Sequence, residues 1–139
     1  EVADARRFVP LWDEPSAKAT FALEVVIPQG QSAYSNMPVA SSAETNGKQV
    51  VRFATSPRMS SYLLHLTVGD LERISRKAAG VEIGIVTRKG AAEQGRVALD
   101  AAVEILPWYN DYFGTSYPLP KLDMIAVPGT SQFFGAMEN

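Results

Sequence analysis

Cysteine is absent from this chain of 139 residues, and histidine occurs once, at His65. The first absence excludes disulfides, thiolate nucleophiles and cysteine-built zinc sites. The second limits imidazole chemistry to one position, whereas a catalytic zinc takes about three protein ligands. No apolar run approaches the roughly 18–20 residues that span a bilayer, and no signal peptide is visible. A basic surplus is also missing: 13 Lys and Arg face 15 Asp and Glu, for a formal charge of -2. Neither nucleic acid nor an anionic membrane is implied as a partner. Without cysteine the chain suits the cytoplasm and a periplasmic or secreted setting alike. It begins at Glu1 without a methionine, so a leader or longer N-terminal region is expected upstream.

Apolar residues make up 46% and charged residues 20%, an ordinary globular balance. The length accommodates one domain or two partial ones. The first half reads as strands. Residues 20–27 alternate, with Phe21, Leu23, Val25 and Ile27 on one face and Glu24 on the other, as in a half-buried strand. A second strand is expected over 33–40, held to an edge by Pro38, and a third over 49–54. Asn46-Gly47 between them tolerates the positive φ of a tight hairpin. A fourth strand is expected over 62–68.

Residues 69–80 are polar and carry Arg73, Arg76 and Lys77; a domain boundary is placed there, at about residue 75. Val81, Ile83 and Ile85 then open an alternating strand. From Ala91 the period lengthens, and Leu99, Ala102, Val103, Leu106 and Phe113 fall at helical spacing, giving an amphipathic helix with a core-facing stripe. Pro107 should bend or interrupt it. Gly114 suits a C-terminal cap, and residues 122–127 read as a closing strand.

Three blocks carry a family resemblance. Ala5-Arg6-Arg7-Phe8-Val9-Pro10 is followed by Asp13-Glu14-Pro15 and Lys18-Ala19-Thr20-Phe21. Ala98-Leu99-Asp100-Ala101-Ala102 is followed by aromatic residues from Tyr109 to Phe113 and by Tyr117-Pro118-Leu119-Pro120-Lys121-Leu122-Asp123. The chain ends on Gly135-Ala136-Met137-Glu138-Asn139. In order and spacing these blocks resemble the aminopeptidase N family of thermolysin-like zinc metallopeptidases, whose GAMEN motif the last five residues match. The resemblance implies a mixed α and β fold: residues 1–75 as the C-terminal part of an N-terminal antiparallel β-domain, and 76–139 as the opening strand–helix–strand of a thermolysin-like catalytic domain. Leu11 stands where the family often has cysteine, the stretch 128–134 looks longer than in many members, and Pro107 is unusual for the helix. The longer stretch bears on the pocket beside the motif.

The resemblance implies a parent protein that removes N-terminal amino acids from peptides with zinc. The H-E-x-x-H helix and downstream glutamate, which supply the metal ligands and general base, are expected beyond Asn139. The isolated chain is therefore expected to hold no catalytic zinc and to be inactive. Glu138, and Glu1 from the other domain, are expected to grip the free α-ammonium of a peptide through charge-assisted hydrogen bonds. Gly135 and Ala136 would let the substrate backbone lie close, and Met137 would line the pocket for its first side chain.

By residue type alone, the same positions have plainer readings. Glu138 is a solvated acid, Glu1 a frayed terminus, Met137 a core residue, Gly135 a turn glycine and His65 a strand histidine without a catalytic task. Asp13-Glu14-Pro15 reads as a turn into a strand, with Arg6 or Arg7 pairing with nearby acids. A non-catalytic scaffold or binding relative of the family is the alternative function, distinguished by the downstream zinc motif. An unrelated β-rich binding module with a chance GAMEN is a further one.

Overall fold

A computed structural model describes residues 5–127. The chain divides at Val68–Gly69 into two compact units. Among the described residues there are eight strands in three sheets and one long helix, a mixed α and β architecture as the sequence implies.

The first unit opens with the short helix α1 (Ala5–Phe8) and continues with β1 (Glu24–Pro28), β2 (Ser32–Ser35), β3 (Val39–Thr45), β4 (Lys48–Phe53) and the start of β5 (Leu66–Gly69). Antiparallel pairing gives one sheet of order β1-β4-β3, and β2 and β5 form a two-stranded sheet. Asn46 (φ 52°) and Gly47 (φ 70°) form the two-residue turn between Thr45 and Lys48, because positive φ at both positions matches the twist of a tight hairpin. Ile27, Ala33, Val51 and Phe53 make the core, with Leu23, Val25 and Leu66 packed on it. The alternation read over 20–27 thus faces inward as expected, although regular pairing begins only at Glu24. Just before it, Phe21 N–H donates to Ser56 Oγ at 2.9 Å.

Two strand expectations are corrected here. Residues 33–40 are not one strand: β2 and β3 are separated at 36–38, where Pro38 has no N–H to give and its carbonyl instead accepts from Ala54 N–H at 2.9 Å. Residues 62–68 are not one strand either. Ser61–Leu63 forms a 3-10 turn, and β5 starts only at Leu66. Side chains take over the backbone groups between them: Asn36 Nδ2 donates to Leu63 O at 2.8 Å, and Asn36 Oδ1 accepts His65 N–H at 2.9 Å. His65 Nε2 and Thr67 Oγ1 lie 2.7 Å apart.

The second unit contains β6 (Leu71–Ala78), β7 (Val81–Arg88), α2 (Arg96–Phe113) and β8 (Lys121–Ile125). The sheet order is β6-β7-β8, with β6 antiparallel and β8 parallel to β7. The polar stretch at 69–80 is mostly β6, a full strand. Its charges misled the sequence reading because they are partnered: Arg73 by Glu82 and Asp123, and Arg76 by Asp100 of α2 at 2.6 Å. One sheet face carries Ile74, Ile83, Ile85, Leu122 and Met124, against which Leu99, Ala102, Val103 and Leu106 of α2 pack. Ile83 is wholly buried; burial of such a side chain contributes about 1.5–3 kcal/mol.

The helix continues through Pro107 without ending there. Gly114 caps it at φ 62°, its N–H reaching the carbonyls of Asn110 and Asp111, a left-handed stop that only glycine adopts freely. Phe113 departs from its expected core role. It is 67% exposed and joins Trp108, Tyr109 and Tyr112 in an aromatic group on the outer side of α2, meeting Tyr112 edge-on at 5.0 Å.

Candidate substrate-anchoring site

The expected anchor residues Glu1, Gly135, Ala136, Met137 and Glu138 lie outside the described residues. The structure describes what adjoins them in sequence: α1 on one side and β8 with residues 126–127 on the other.

β8 is held by charge as well as by its ladder. Asp123, with 5% of its side chain exposed, accepts from Arg73 Nε and from Lys121 Nζ, at 2.8 and 2.7 Å. Arg73 Nη1 donates to Glu82. Arg73 and Lys121 are themselves largely buried. A carboxylate out of water is tolerated when paired and hydrogen-bonded, and this one has a cation on each oxygen. Burial pulls the Arg73 pKa down, but the hydrogen bond to Glu82 and the charge of Asp123 outweigh it, so the guanidinium is held more firmly protonated than usual. The same Arg73 bond and charge hold Glu82 below the ordinary glutamate range. Nearby, burial first and the Asp123 carboxylate second push the Tyr117 phenol above its usual value.

Beside the ends of β7 and β8 an open hollow of about 510 Å³ is lined by Ile85, Ala91, Ala98, Met124 and Val127, with Arg88 and Gln94 as polar members. The pairing of β8 with β7 extends past its last residue, since Ala126 N–H donates to Val86 O at 2.9 Å. On its other side β8 has no strand partner among the described residues. Such an edge can receive an extended peptide by main-chain hydrogen bonds.

On the first unit, α1 is tied down through Arg6, whose Nε lies 3.0 Å from Asp13 Oδ2. The buried Ser61 hydroxyl donates to Asp13 Oδ1 at 3.2 Å, and Ser60 Oγ donates to Pro15 O at 2.6 Å. A turn closes from Glu14 O to Ala17 N at 2.9 Å. Asp13-Glu14-Pro15 is thus the turn, partnered by Arg6, that the sequence reading preferred.

Two family profiles match: the peptidase M1 N-terminal domain over residues 1–63, and the peptidase family M1 domain over 97–139. The chain belongs to peptidase family M1. Aminopeptidase N of Acetobacter pasteurianus is 52% identical over 140 residues, covering 100% of this chain and 39% of that protein. Puromycin-sensitive aminopeptidase of Caenorhabditis elegans is 48% identical over 97% of this chain and 14% of its own length. Probable aminopeptidase 2 of Sulfurisphaera tokodaii is 42% identical over 100% of this chain and 18% of its own. The chain thus spans well under half the length of these relatives. The N-terminal-domain match falls within the first unit, and the M1-domain match begins one residue into α2 of the second.

Among the described residues no group of three or more His, Cys, Asp or Glu side chains comes together as a metal site requires. Sequence reading placed Lys121 and Asp123 in a family block but missed their union with Arg73. The available signal was Asp123 set between Leu122 and Met124, since an acid amid apolar neighbours is tolerated in the interior only when paired.

Proposed function

We propose that this M1 chain is part of a zinc-dependent aminopeptidase that removes N-terminal amino acids from peptides, and that its own share of the work is to anchor the substrate's free amine. The observation that carries this reading is the GAMEN sequence at 135–139 in a chain matched along its whole length by proteins named aminopeptidases. Glu138 and Glu1 are the proposed carboxylates. An ammonium between two acids in a partly dehydrated cleft gains several-fold more Coulomb energy than in water. Fixing the amine sets the distance to the first peptide bond, so binding energy is converted into orientation. Gly135 and Ala136 leave room for substrate backbone, and Met137 offers a flexible apolar wall. Zinc, its ligands and the general base belong to polypeptide outside this chain. The peptide partner is one with a free N-terminus.

The test uses the full-length protein. Aminoacyl chromogenic substrates are expected to be cleaved and their N-acetylated forms left intact, with activity lost to a chelator and restored by zinc. Equal cleavage of the acetylated forms would refute amine anchoring. Turnover by the 139-residue chain alone, tracking its purification, would refute the division of labour.

A further inference from the structure

We infer that Arg73, Gly84 and Asp123 form a register lock on β8, and that they are positioning residues for the amine anchor that follows this strand in sequence. The inference rests on the aminopeptidase reading.

β8 has five residues and pairs with one neighbour, in parallel, the less stable pairing per residue. Hydrogen bonding alone leaves such a strand free to slip. The side chains do not. Asp123 lies beside Gly84 of β7 on the sheet face opposite the α2 core, while Leu122 and Met124 face that core. A slip of one residue exchanges the faces. It would drive Asp123 into the apolar packing of Ile83 and Ile85 and strip Arg73 of its inner partner. An unpaired buried charge is strongly unfavourable, so one register is favoured over its neighbours.

Gly84 makes the lock possible. The Arg73 side chain starts on β6 and reaches Asp123 on β8, two strands away, by passing over β7. A Cβ on Gly84 would overlap both Arg73 Nε and Asp123 Oδ1. The missing side chain is the passage through which the outer strands are tied. The locked register is carried to Ala126 by its bond to Val86, at the point where the chain goes on toward Gly135.

Two variants of the full-length protein test this. Gly84→Ala blocks the passage. The triple variant Arg73→Met, Lys121→Met and Asp123→Leu replaces the buried ion triad by apolar groups, an exchange often neutral for stability. It should melt near the wild-type temperature, yet its β8 amides should exchange with deuterium faster while those of α2 do not. For an aminoacyl substrate, KM should rise about ten-fold or more with kcat nearly kept, since a small misplacement can cost as much as about 100-fold. A purely structural role would instead lower kcat by shrinking the active fraction and leave KM unchanged. Unaltered KM in whichever variant folds, with an active wild type, overturns the inference and spares the aminopeptidase reading. A zinc-loaded wild type without turnover overturns that reading, and the anchoring role of the lock with it.

Discussion

Ile85 closes the space over Gly95: a Cβ on that glycine would come within 2.5 Å of Ile85 Cγ2. The chain entering α2 therefore lies directly on β7. Gly95→Ala is expected to force Ile85 or the helix start aside and to lower stability by about 1–3 kcal/mol, as overpacking does. The urea midpoint of the 139-residue chain reads this. A midpoint equal to wild type would mean that the two elements separate freely.

Asp13 holds two partners, and they are unequal. Arg6 is 62% exposed, so its ion pair should contribute less than about 1 kcal/mol. Ser61 is 2% exposed, and without Asp13 its hydroxyl keeps only the long 3.4 Å contact to Trp12 O, losing a bond to a charged acceptor worth about 1.5–3 kcal/mol. Asp13→Ala should therefore lower the melting temperature clearly more than Arg6→Ala. Equal losses would show that the exposed pair, not the buried hydroxyl, is what matters.

The same contrast explains how much of the fold was legible. Periodicity found the core faces of β1, β7 and α2 because Leu23, Val25 and Ile27, Ile83 and Ile85, and Leu99 and Leu106 respond to one local requirement, burial on one side. Asn46-Gly47 and Gly114 were legible because their backbone angles are demanded locally. β6 was not. Its Arg73, Arg76 and Lys77 look like a solvated linker until Glu82, Asp100 and Asp123 are brought beside the two arginines, and those acids are distant or unremarkable in sequence. Residues 62–65 misled for a related reason, since Asn36, far away in sequence, occupies the bonds a strand neighbour would take. At the site, the motif letters supply only the proposed anchor residues, which lie outside the described part. The crossing of Arg73 to Asp123 depends on an empty position, Gly84, and a missing side chain leaves no chemical signal to read.

Glu82 supplies a pH dependence. Its carboxyl is held below the ordinary glutamate range, first by the hydrogen bond from Arg73 and then by that guanidinium's charge. A depressed folded-state pKa means that the pair's stabilisation is complete above the ordinary range and fades as pH falls through the lowered value. The side chain is 43% exposed, so the contribution should stay at about 1 kcal/mol or less after solvent screening. Denaturant unfolding at a series of pH values should show wild type ahead of Glu82→Gln near neutrality and the gap closing in acid. A gap that widens in acid would contradict the pairing.

The charge on Glu138 is expected to matter more than its shape. Glu138→Gln keeps the side-chain volume and the capacity to accept one hydrogen bond, but it removes the negative charge that an ammonium requires. In the full-length protein, kcat/KM for an aminoacyl substrate should fall about 100-fold, equivalent to about 2.7 kcal/mol of lost transition-state binding. Glu1→Gln should fall less, because glutamine at that place retains an acceptor and Glu138 would still carry the charge. The substrate amine titrates near about 8, so apparent affinity for wild type should weaken as pH rises past that value, and the Gln variants should show a shallower dependence. If Glu138→Gln kept both the wild-type kcat/KM and its alkaline decline, the amine would have to be recognised by another group, and the role given to the end of this chain would be lost.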